Sequence, residues 1–194
     1  MAHLNKSCFY RSKVCVLFLS MFCTGLYAQN KYDSLNDTTG YYLITLSRYF
    51  ESPGVVFTDR NKETFIDNDL IKYTPTESDV DLAEKLLVES IKKYMGTIEA
   101  EKSFVLKKLR SFSRQYYGAI DSNQNKYVFI NIIFNEKAPR KIMEEYYTKT
   151  LIRSFTFYYN MFLGFDLTNQ DILENNSSLF TFCLVILDEY PGED

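Results

Sequence analysis

The run Tyr127-Val128-Phe129-Ile130-Asn131-Ile132-Ile133-Phe134 constrains the fold of this chain more than any other stretch. Successive strand residues point to opposite faces, so a strand with one wet face alternates apolar with polar. Here both faces are apolar. The strand needs cover on each side and belongs in the middle of a sheet. Just before it, Gln115 to Ile120 is a second β-prone stretch, and Asp121-Ser122-Asn123-Gln124-Asn125 joins the two. Those joining residues fold back on their own backbone and tolerate positive φ, which predicts a β-hairpin with Asn123 in the left-handed region.

Cover for a sheet comes from helices, and one is well signalled. Thr76 is followed three residues later by Asp79, a capping-box pattern, and Pro75 lies just ahead. Val80, Ala83, Leu87, Ile91 and Tyr94 share a face, widened by Leu82, Leu86 and Met95, while Glu84, Lys85, Glu89, Lys92 and Lys93 take the solvated side. This predicts an amphipathic helix over 76–95 that stops at Gly96. Ala100, Phe104, Val105, Leu109 and Phe112 continue at helical spacing and predict a second helix from Glu99 to Arg110.

Upstream, Tyr41 to Leu46 and Val55 to Thr58 read as strands flanking Pro53-Gly54, and Asp59 to Asp69 as a loop anchored by Phe65 and Ile66. Beyond Phe134, Pro139 opens a short helix over Arg140 to Tyr147, and Leu151 to Phe162 reads as an aromatic strand. Asp166 to Ser178 is polar and turn-rich. Leu179 to Leu187 is apolar throughout except Thr181, too short for a membrane span, and reads as a buried strand. The fold class expected is α+β: one domain over 41–194, an amphipathic helix packed on an antiparallel sheet.

The start of the chain has a different character. Lys6, Arg11 and Lys13 precede an apolar run from Val14 to Cys23, and Thr24-Gly25-Leu26-Tyr27-Ala28 leads to Gln29. A basic stretch, a short apolar stretch and a small residue at a cut are the secretory pattern, so residues 1–28 are expected to be a cleaved signal peptide and 29–40 a flexible lead-in. Acylation at Cys23 needs a small residue before the thiol, where Phe22 stands.

Cleavage removes Cys8, Cys15, Cys23 and His3, leaving Cys183 as the remaining cysteine and no histidine. An internal disulfide, a Ser-His-Asp or Cys-His nucleophile and a His-bound zinc all fall away. Taking the three leader basics from 22 leaves 19 against 25 acids, a net charge of −6. Nucleic acid is therefore not an expected partner. The basic run Lys107-Lys108-Leu109-Arg110 to Arg114 is interleaved with Leu109 and Phe112 and reads as a solvated face.

Asp59, Asn61, Glu63, Asp67 and Asp69 cluster, and Asp121, Asn123 and Asn125 alternate, as calcium ligands do. A calcium loop of the EF-hand type needs Gly at its sixth position and Glu at its twelfth. From Asp59 those places hold Thr64 and Leu70, and the sixth from Asp121 is Lys126. No metal-binding, cofactor-binding or catalytic residue is assigned, and no cofactor. Aromatics are abundant, with Tyr pairs at 41–42, 116–117, 146–147 and 158–159. One ring of each pair is free to pack while its neighbour faces outward, but phenols capping the edge of an aromatic core are the favoured reading of the pairs.

The leader end Tyr27-Ala28-Gln29, the run Arg114-Gln115-Tyr116-Tyr117-Gly118-Ala119-Ile120-Asp121 and Lys126-Tyr127-Val128-Phe129-Ile130-Asn131 resemble small secreted proteins common in Bacteroidota. The resemblance spans the leader and 75–135 and stops at Phe134. It implies an exported location, periplasmic or extracellular, and no site. Asp33-Ser34-Leu35 and Asp37-Thr38-Thr39 also resemble the three-residue O-glycosylation pattern of those bacteria. The expected function is an exported non-enzymatic protein that binds a protein or glycan partner in the cell envelope. The alternative is a small hydrolase built on carboxylates.

Overall fold

In the computed structural model, which describes residues 40–44, 47–61, 69–97, 99–134, 160–173 and 177–191, the capping box at Thr76 is formed. Thr76 Oγ1 accepts the Asp79 backbone N–H at 3.2 Å, and the Asp79 carboxylate accepts the Thr76 N–H at 2.9 Å. Two donors at the helix start are thereby satisfied. Helix α1 runs Glu77–Met95 and ends at Gly96, whose φ is +58°. Helix α2, Glu99–Ser111, follows as expected.

The strands are β1 (Tyr41–Ile44), β2 (Gly54–Phe57), β3 (Ile71–Tyr73), β4 (Ser113–Ile120), β5 (Lys126–Ile133), β6 (Asn160–Asp166) and β7 (Asp171–Ile172). Their order in the sheet is β1-β2-β4-β5-β6-β7, with β3 also paired to β4. The expected hairpin is β4–β5, in the register Tyr117↔Phe129 and Ile120↔Lys126. Strand β5 lies between β4 and β6, so both its edges are paired; Val128, Ile130 and Ile132 pack on the helical side, and Ile133 with the half-buried Phe129 lies on the other.

The sheet is mixed rather than wholly antiparallel, because β2 runs parallel to β4 with Gly54 opposite Arg114. Parallel neighbours need a long crossover, and here α1 and α2 lie between the two strands in sequence. Strands β2 and β3 share the same edge of β4, β2 beside Arg114–Tyr116 and β3 beside Gly118–Ile120. The three-residue β3 falls just past the stretch read as a loop. In the hairpin turn the left-handed residue is Gln124, φ +68°, not Asn123. The Asp121 carboxylate takes the Asn123 N–H at 2.8 Å and holds that residue in the turn, so the positive φ falls one place later.

Leu179 to Leu187 is not a strand. It lies in helix α3, Ser177–Leu187, which buries Leu179, Phe182, Cys183 and Ile186 and leaves Phe180 and Leu184 outside. Those buried positions recur at helical spacing, but a run apolar on every side fits either period.

One face of the sheet, with Val56, Tyr116, Val128, Ile130, Ile132, Leu163 and Phe165, packs under all three helices through Ala83, Leu87, Ile91, Val105, Leu109, Phe182 and Ile186. The opposite face gathers Val55, Phe57, Tyr117 and Ile133, edged by Tyr41, Leu43, Phe129 and Phe162. Ring pairs Phe57–Tyr117 and Phe129–Phe162 stack there at 5.2 and 5.4 Å. All described residues fall in the unit 39–194, a single α+β domain. The leader, the lead-in up to residue 39, the helix expected at 140–147 and residues 151–159 of the aromatic strand lie outside the described residues. Its last residues, 160–162, begin β6.

Candidate functional site

Two charged residues expected in water, Glu84 and Arg114, are buried between the helices and the sheet. Glu84 sits among Val80, Leu87, Val88 and Ile91 on the packed face of α1, and Arg114 shares a face of β4 with Tyr116. Both are closed to solvent. Arg114 Nε donates to Glu84 Oε1 at 3.0 Å and also to the Tyr116 hydroxyl. The Tyr116 hydroxyl donates to the same Glu84 oxygen, and the Ser47 hydroxyl to the other. Arg114 Nη1 donates to the Ser52 carbonyl, and the guanidinium carbon stands 4.1 Å from the centre of the Phe50 ring.

This pairing is why neither charge is exposed. A buried charge is tolerated when a counter-charge and further hydrogen bonds replace its water. The segment 47–52 supplies those bonds and is itself tied down. Ser47 Oγ accepts the Tyr49 and Phe50 N–H groups at 3.0 and 3.1 Å, and Ser52 Oγ donates to the Phe112 carbonyl at 2.8 Å. Burial, foremost, pushes the Tyr116 phenol well above its ordinary pKa; Arg114 pulls it down and Glu84 pushes it up. Tyr116 is a neutral donor here. With both carboxylate oxygens engaged and the side chain closed to solvent, Glu84 ties α1 to β4 and to the segment before β2.

A second polar row crosses the opposite face. Gln115 Oε1 accepts from the Tyr117 hydroxyl at 2.6 Å and from Asn131 Nδ2 at 3.1 Å, and Asn131 Oδ1 accepts from Asn160 Nδ2 at 3.0 Å. These amides bind one another across β4, β5 and β6. Tyr116 and Tyr117 do face opposite ways, but neither ring is outside, because both faces of β4 are covered. Tyr146-Tyr147 and Tyr158-Tyr159 lie outside the described residues.

Asp121 serves its own turn, accepting the Asn123 and Asn125 N–H groups at 2.8 and 2.9 Å. Asp59 accepts from the Thr74 hydroxyl at 2.8 Å. Glu63 and Asp67 lie outside the described residues, and Asp69 is exposed at the start of the turn before β3. Loss of water raises the Asp121 pKa, but hydrogen bonds from Asn125, the Tyr127 hydroxyl and the Asn123 N–H outweigh it and hold the carboxyl below its ordinary value. Among the described residues no three of His, Cys, Asp and Glu stand close enough to hold a metal ion. Cys183 is buried in α3, and burial pushes its thiol up to about 12. The basic run is dispersed as well. Lys108 pairs with Glu189 at 3.1 Å, Arg110 with Glu51 at 3.1 Å, and Arg114 is inside.

Among the described residues, three of the exposed large apolar side chains group around helix α3. Helix α3 carries no charge in eleven residues, and Phe180 and Leu184, one turn apart, are 44% and 48% exposed. The Phe180 ring meets Tyr94 of α1 edge to face, with centroids 5.7 Å apart. Tyr94 was expected on the packed face of α1. It stands at that helix's last turn and is 38% exposed. A helix apolar on every side is ordinarily covered on every side. Here the outer side forms a ridge of Tyr94, Phe180 and Leu184. No described helix is long and apolar enough to cross a membrane.

Comparison with protein-family models, with curated proteins and with solved structures gives no match. The residues that sequence reasoning misplaced did carry a signal. Glu84 lies four residues after Val80 and three before Leu87, inside the apolar stripe, and Phe180 and Leu184 have the helical spacing of i and i+4.

Proposed function

We propose that the chain is an exported protein without a catalytic site of its own, which holds a protein partner in the cell envelope through the Tyr94–Phe180–Leu184 ridge. The ridge carries this reading. Large apolar side chains grouped on a surface mark places where another molecule sits. A protein suits it better than a glycan, because sugars stack on an open, flat ring face. Tyr94 and Phe180 meet edge to face and are followed by an aliphatic residue. Export rests on the leader pattern of residues 1–28. The carboxylate-hydrolase reading has less behind it, since the buried carboxylate of Glu84 is fully engaged and Asp121 is held in its turn.

The test uses the full chain, tagged at its C-terminus and expressed in a Gram-negative host. Protein from the envelope fraction should begin at or near Gln29 and retain a protein from envelope extract. The double variant Phe180→Ser/Leu184→Ser should be processed alike and melt within a few degrees of the parent, yet lose that protein. Equal retention by the variant rejects the ridge, and an exported protein that still begins at Met1 rejects the leader.

A further inference from the structure

No further inference is drawn: the strongest candidate, the exposed Tyr94–Phe180–Leu184 ridge where α1 meets α3, is the surface already proposed for a partner, and nothing in the structure shows what covers it.

Discussion

Arg114 on β4 and Glu84 on α1 meet 3.0 Å apart with both side chains closed to solvent. The contact joins the helical layer to the strand with the most neighbours in the sheet, since β4 pairs with β2, β3 and β5. Through Ser47, Phe50 and Ser52 it also fixes the segment that connects β1 to β2.

Removing one partner leaves the other charge buried without compensation. Glu84→Ala and Arg114→Ala should each lower stability by about 3–5 kcal/mol, whereas the double variant Glu84→Leu/Arg114→Met should lose far less than the sum. Urea unfolding of the four proteins reads this directly. Single variants that unfold at the parent's midpoint would mean that the pair is solvated.

Ile130 and Ile132 are fully buried on the helix-facing side of β5. Truncating either to Ala should cost about 2–5 kcal/mol. At the turn beside them, Gln124→Gly should raise stability by up to about 1 kcal/mol, because a side chain is strained at positive φ. Asn123→Gly should bring no gain. Denaturant midpoints rank the four variants, and a benefit at Asn123 with none at Gln124 would contradict the turn geometry.

Gly118 is fixed by a close approach. A Cβ there would stand 2.5 Å from the Tyr73 carbonyl oxygen and 2.7 Å from its ring. Gly118→Ala must push β3 away from β4 and should cost about 1–3 kcal/mol, as overpacking does. Hydrogen exchange should show faster loss of protection at Tyr73 than at Val128. Unchanged protection at Tyr73 would show that β3 accommodates the methyl.

Cys183 should not react with a disulfide reagent at pH 8 until the protein unfolds, because the buried thiol is neutral there. The sign of the linked effect follows from the raised pKa. The unfolded thiol ionises near 9.0 and the folded one at about 12, so this contribution to stability is intact below pH 9 and is lost as pH rises toward 12. Cys183→Ala should flatten part of the alkaline fall in melting temperature. An equal fall in both proteins would assign it to other groups, Tyr116 among them, whose pKa is also raised.

Legibility in the sequence followed locality. The capping box at Thr76, the stop at Gly96 and the β4–β5 hairpin rest on residues a few places apart, and each stands as its local chemistry predicts. Helix α3 reads as a strand because a run apolar on every side fits either period, even though its buried positions recur at helical spacing. Glu84 stands inside the apolar stripe of α1, but its counter-charge Arg114 is 30 residues away, and only the fold brings the two together. The parallel register of β2 on β4 has no local signature, for nothing near Gly54 names Arg114 as its neighbour. The Tyr94–Phe180–Leu184 ridge needed two separate helices in place before it existed.

The shared edge of β4 pairs it with one partner far back in the chain, while its other edge takes the strand that follows directly. Residues 54–57 have only β1 beside them until β4 joins, since Arg114 lies 62 residues beyond Ser52. Strands β4 and β5, by contrast, follow one another directly. Contacts between distant residues close later than local ones, because a longer loop must first be brought together. Without β4 the inner edge of β2 has no strand beside it, and an unpaired strand edge is the part of a chain most apt to pair with a neighbour.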